Sequence, residues 1–277
     1  MMSLNFRTHD FRSDVYVMRA VPHRAAILLN DGYDASVVFD LVAMAARERV
    51  AFAPSVTPYT VHELTVAPSG TWALAFSNDQ HDVALRIDLA SGKADVLAVP
   101  KTAGRVSAFA WADANSPTVM QVTTTDGLLW EATGDALQLA TPGPELAAWI
   151  GRAKAHVERL DRFAHRRTDF ASGKLFVFAK DASEIGWISL DTGEAHLVAA
   201  TYKAGAVAAI GTLTWVGYRE RVVLFRGQRE ESYFTMPDDE ELVALEACEG
   251  ADGPFLAILT SVKDGPESRL RVARVDV

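Results

Sequence analysis

Ala67-Pro68-Ser69-Gly70-Thr71-Trp72-Ala73-Leu74-Ala75-Phe76, then Val83-Ala84-Leu85-Arg86-Ile87-Asp88-Leu89-Ala90-Ser91-Gly92, then Ala94-Asp95-Val96-Leu97-Ala98, form three apolar runs separated by polar turns. The same order returns in Ala171-Ser172-Gly173-Lys174-Leu175-Phe176-Val177-Phe178, Ile185-Gly186-Trp187-Ile188-Ser189-Leu190-Asp191-Thr192-Gly193 and Ala195-His196-Leu197-Val198. Each copy has a Ser-Gly turn, a strand, a polar gap, a second strand, a Ser-Gly or Thr-Gly turn and a third strand. β-Branched and aromatic residues in the runs favour an extended, half-buried chain. Glycine at the turns supplies the positive φ that tight connections need. A meander of this kind cannot bury both of its faces alone, so copies must stack against one another.

The rest of the chain divides in the same way. The first unit uses Val15–Arg19, Ala25–Leu29, Ser36–Asp40 and Arg49–Ala53, and the second adds Thr60–Val66 to the first repeat copy. The third uses Val106–Trp111, Val119–Thr123, Leu128–Glu131 and Leu137–Ala140, and the fourth contains the second copy. The fifth uses Ala206–Ile210, Leu213–Gly217, Val222–Arg226 and Ser232–Met236. The sixth has Leu242–Ala247, Phe255–Thr260 and Arg269–Val275, with Leu4-Asn5-Phe6-Arg7-Thr8 as the expected fourth strand. A strand drawn from the other end of the chain would close the set and remove an open sheet edge. Division of the length by a repeat of about 40–45 residues gives six units or seven, and the strand count favours six.

Pro68-Ser69-Gly70-Thr71-Trp72-Ala73-Leu74-Ala75-Phe76 resembles the strand-turn of TolB-like and WD-like bacterial propeller repeats. Asp88-Leu89-Ala90-Ser91-Gly92 and Leu190-Asp191-Thr192-Gly193 resemble the hairpin that follows it. The Trp-Asp dipeptide of the WD repeats is absent. The resemblance implies a single all-β domain over residues 1–277, a β-propeller of six blades closed by its N- and C-terminal strands. It carries no catalytic residue across, because this architecture hosts unrelated chemistries.

Residues 145–166 break the pattern. Leu146, Trp149, Ile150, Ala153, Val157, Leu160 and Ala164 recur at helical spacing, which predicts an inserted amphipathic helix. Pro144 and Glu145 suit its first turn. Arg152, Lys154, Arg159, Arg162 and Arg166 lie off the apolar stripe and are the candidate partner-binding residues. The helix is either a docking element or channel lid, or a surface helix packed on the fourth blade with a solvated basic face. Asp238-Asp239-Glu240-Glu241 is either a cation site, a patch for a basic partner, or a solvated turn between blades.

A net charge of -9 opposes a general nucleic-acid surface, since phosphate binding needs the opposite sign. No apolar stretch is long enough to span a membrane as a helix. Arg7, His9, Asp10, Arg12 and Asp14 follow Phe6 closely and leave no apolar core for a secretory leader. Cys248, the one cysteine, cannot form an intramolecular disulfide; it reads as a small buried hydrophobe in a strand, with a nucleophile as the alternative. These features together predict a cytoplasmic protein. The chain has no dinucleotide fingerprint, P-loop, nucleophile elbow, zinc pattern or calcium loop.

Local motifs cannot show residues that converge from the ends of inner strands. Asp14, His62, Glu63, Asp169 and Glu241 lie near such ends and could offer carboxylates and an imidazole to a divalent ion such as calcium. That constellation would resemble the calcium-dependent six-bladed lactonases, whose sequence pattern is not recognisable in the chain. The first expectation is therefore a non-enzymatic scaffold with a protein partner. A metal-dependent hydrolase at the channel is the alternative, and a small-ligand sensor is the third reading.

Overall fold

The computed structural model describes residues 4–275, except 68, 78, 101–108, 112–117, 122–127, 142–143, 145–146, 148–162, 170–172, 180–182, 190–191, 201–203 and 252. The described elements are all strands. In chain order they are β1 (Arg7–Phe11), then β2 to β5 (Met18–Ala20, Ala26–Asp31, Ala35–Asp40, Ala45–Ala51), then β6 to β9 (Glu63–Val66, Trp72–Phe76, Val83–Asp88, Lys93–Ala98). Next come β10 to β13 (Phe109–Trp111, Thr118–Gln121, Leu128–Thr133, Ala136–Leu139) and β14 to β17 (Phe163–Asp169, Lys174–Ala179, Glu184–Ser189, Ala195–Ala199). The last are β18 to β21 (Ala206–Ile210, Leu213–Tyr218, Arg221–Arg226, Arg229–Thr235) and β22 to β24 (Glu240–Gly250, Gly253–Val262, Ser268–Arg274).

These strands make antiparallel meanders, as the repeats predict. The count of separate sheets is five, not the six expected. The reason is one parallel bridge, Ala136 opposite Ala98, which joins β6–β9 and β10–β13 into an eight-stranded sheet. The other four sheets have four strands each. One of them is β1-β24-β23-β22, so residues from both ends of the sequence share a sheet. The N-terminal strand is Arg7–Phe11 rather than Leu4–Thr8. Phe6 packs tilted against Phe234, with ring centroids 4.7 Å apart, while Asp10 pairs with Arg269 at 2.5 Å.

The turns explain the repeat. Gly70, Gly92, Gly173 and Gly193 have φ of 66°, 67°, 64° and 74°, where a β-carbon is strained. The Asp88 carboxylate accepts the backbone N–H groups of Ala90 at 2.8 Å and Ser91 at 3.0 Å, an Asx turn that fixes the hairpin before Gly92.

The inserted helix fails at its C-terminal end. Phe163–Asp169 is strand β14, paired with β15, and Arg166 is the extra residue of a β-bulge between His165 and Arg167. The apolar β15 (Lys-Leu-Phe-Val-Phe-Ala) needs a ladder on this side, and that tertiary demand overrides a local helical period. Pro144 and Ala147 have helical backbone, and no helix figures among the described elements. The rest of the expected helix within 145–162, residues 145–146 and 148–162, lies outside the described residues.

The chain divides into two compact units, Tyr59–His196 and the pair Met1–Pro58 with Leu197–Val277. In the first, Ala67, Leu74, Phe76, Leu97, Trp130 and Leu137 form a buried cluster. In the second, the sheet β1-β24-β23-β22 is covered on both faces. Phe255, Ala257 and Leu259 of β23 join Met18, Ile27, Leu29 and Phe39 in one cluster. Leu256 and Ile258 join Trp215, Val222 and Leu224 in another. Successive side chains point to opposite faces, so burial on both faces demands the unbroken apolar run Phe255–Leu259.

Candidate functional site

Of the basic residues expected to meet a partner, Arg152, Lys154, Arg159 and Arg162 lie outside the described residues. Arg166 stands at the β14 bulge. The acidic and imidazole candidates are spread over both units. His62 is exposed, with Nδ1 3.4 Å from the Thr60 carbonyl; Glu63 opens β6 and Asp169 ends β14. Asp14 accepts a hydrogen bond from the Tyr33 hydroxyl at 3.2 Å, which raises the Tyr33 pKa. Glu241 is held by the Arg219 guanidinium, whose hydrogen bond and charge lower the carboxyl pKa. Among the described residues, no three His, Cys, Asp or Glu side chains are grouped to hold a metal ion.

The acidic run Asp238–Glu241 is split by the pleat. Glu241 faces solvent beside Arg219, and Glu240 is fully buried. Its carboxylate accepts hydrogen bonds from Arg269 Nη1 at 2.5 Å, Arg271 Nη2 at 2.6 Å, Arg271 Nη1 and Thr260 Oγ1 at 2.6 Å. Burial alone would raise its pKa. The hydrogen bonds of Arg271 and Thr260 and the charge of Arg271 outweigh burial and lower it to about 2. The legible signal was the spacing of Arg269 and Arg271, which puts two cations on one face of a strand whose other face carries Leu270 and Val272. A half-buried cationic face calls for a buried anion.

On the same face of this unit lies a groove of about 700 Å³. Trp215, Val222 and Leu224 form its floor; Leu256 and Ile258 of β23, with Leu4 and Phe6, form one wall. The other wall is Glu230-Glu231-Ser232-Tyr233-Phe234, five consecutive residues of β21. Alternate residues of a strand point to opposite faces. Five in a row can line one groove only if it follows the strand's edge. β21 is the outermost strand of its sheet and pairs with β20 alone. Arg271 lies over the Phe234 ring at 5.7 Å, which ties the groove to the Glu240 cluster. Sequence reading missed the groove because its residues come from five separate segments.

No family model matches the chain, and no curated protein matches it in sequence. Among solved structures, the β-propeller domain of Myceliophteria thermophila Cps50 (Swd1) is similar, with a TM-score of 0.65 over 95% of this chain and 99% of that one. Sequence identity is 13%, so the likeness concerns the fold and transfers no residue. Twenty-four strands among the described residues, arranged as antiparallel meanders, make the chain, with this likeness, an all-β protein of the β-propeller fold.

Proposed function

We propose that this β-propeller is a non-enzymatic scaffold that binds a protein partner. The observation that carries the reading is the groove along β21. It joins an apolar floor to an unpaired strand edge, and each of these is a common means of holding a peptide. A sheet covered on both faces, as β1-β24-β23-β22 is, suits a platform whose surface does the recognition.

Affinity capture from the source cell, with chemical cross-links mapped on both proteins, tests this. The expected result is a discrete partner cross-linked to this chain, with Tm unchanged by calcium or chelator. Turnover of lactone or ester substrates that chelation abolishes would overturn it in favour of the metal-dependent hydrolase. The basic residues of the 152–166 segment are tested separately: charge reversal at Arg159 and Arg162 is expected to weaken capture and leave Tm nearly intact.

A further inference from the structure

Resting on the scaffold reading, we propose that β21 takes an extended segment of the partner protein as an added strand, seating apolar side chains in the groove and a Lys or Arg beside Glu230. Strand addition needs an open edge, room along it, and pockets for alternate side chains. β21 offers all three. Its outer edge makes no backbone hydrogen bond among the described residues, and the groove follows that edge for five residues.

The outer strand β5 does not share this character. β5 is exposed along nearly its whole length but carries Ala, Arg and Glu, the usual way of blunting an edge. β21 instead leaves Tyr233 64% exposed and Phe234 half-buried against Phe6. A tyrosine held in water at an edge loses little conformational freedom on binding and gains a large contact. The bulge at Glu231 limits pairing to a partner that fits it, which guards the edge against indiscriminate addition.

Charge selects the occupant. The groove lining contains two charged groups, Glu230 and Glu231. Glu231 is neutralised by Arg226 at 2.8 Å; Glu230 has no ion pair among the described residues. One free carboxylate beside an apolar trough fits a segment that alternates apolar residues and carries a basic one. A second copy of this chain would bring the same carboxylates.

The test is selection of a displayed library of random seven-residue peptides on the full chain, with amide hydrogen exchange on the selected peptides. Enrichment of alternating β-branched or aromatic residues with a Lys or Arg is expected, with protection gained over Arg229–Thr235. Tyr233→Asp should weaken these peptides about tenfold or more, the scale of a lost anchor. Glu230→Lys should turn the enriched charge from basic to acidic. Both positions are exposed, and unchanged melting curves confirm that the variants fold. Peptides that bind both variants as tightly as the parent, or that protect another segment, overturn the groove and leave the scaffold reading standing. No enrichment at all overturns the groove, and the capture experiment then decides the scaffold reading independently. A dimer that Tyr233→Asp converts to monomer, seen by light scattering, overturns it in favour of a second copy. A large gain in peptide affinity on deletion of residues 1–3 overturns it in favour of the chain's own N-terminus.

Discussion

Glu240 gains its stability from donors, and an anion at that depth could not stand without them. Its carboxyl pKa is about 2 in the folded chain against 4.5 for the free group. A depressed carboxyl pKa contributes stability above the unfolded value, and that contribution is lost as pH falls from about 4.5 towards 2. At roughly 1.4 kcal/mol per pH unit the gap amounts to about 3 kcal/mol. Glu240→Gln is expected to cost a similar amount at neutral pH, because it leaves two guanidinium groups facing a neutral amide. Urea unfolding at pH 7 and pH 3 checks this: the variant should lose the part of the acid dependence that Glu240 supplies, about 2 kcal/mol between those values, and keep that of Asp40, Asp88 and Glu241. Gly250 illustrates a different constraint. A β-carbon there would stand 2.6 Å from the Ala25 backbone nitrogen, which cannot move aside as a side chain can. Gly250→Ala should cost about 1–3 kcal/mol by overpacking, while Gly205→Ala, 3.9 Å from its nearest neighbour, should be nearly silent. Thermal melts of the two variants side by side give the comparison.

At the level of elements, legibility followed whether the signal was local. β7–β9 and β15–β17 were readable because each set of three strands is marked by two glycine turns, Gly70 and Gly92 or Gly173 and Gly193, and the Asx turn at Asp88 uses only neighbours in sequence. β23 was readable because burial on both faces leaves an unbroken apolar run. β14 was not. Phe-Ala-His-Arg-Arg-Thr-Asp has no apolar alternation, it follows a run of helical period, and its strand state comes from pairing with β15. The groove was illegible for the same reason, since it joins side chains from strands remote in sequence; of the Glu240 cluster only the cationic half, Arg269 and Arg271 on one strand face, was legible, and not which anion meets it. Ile258 tests the double-sided burial directly. It is fully buried, and Ile258→Ala is expected to cost about 2–5 kcal/mol. If chemical unfolding shows less than 1 kcal/mol, the face towards Trp215 is not tightly packed.

At the scale of the molecule, the sheet of β22, β23, β24 and β1 holds the second unit together by packing both ways. Removal of residues 1–11 would strip β1, uncover the edge of β24 and unpair Asp10 from Arg269. The expected outcome is a lower Tm and concentration-dependent aggregation, read by light scattering during a thermal ramp, because an unpaired edge is a template for other chains. The same pairing bears on how the protein is made. Asp10 meets Arg269, a partner 259 positions away. A ribosome delivers β1 long before β24, so β1 must wait for its partner strand. Closure of so long a loop carries a large entropy cost before any contact repays it. The slow step of folding should then be the arrival of β1, and a nascent chain halted before Ser268 should remain vulnerable to proteases between β1 and β2.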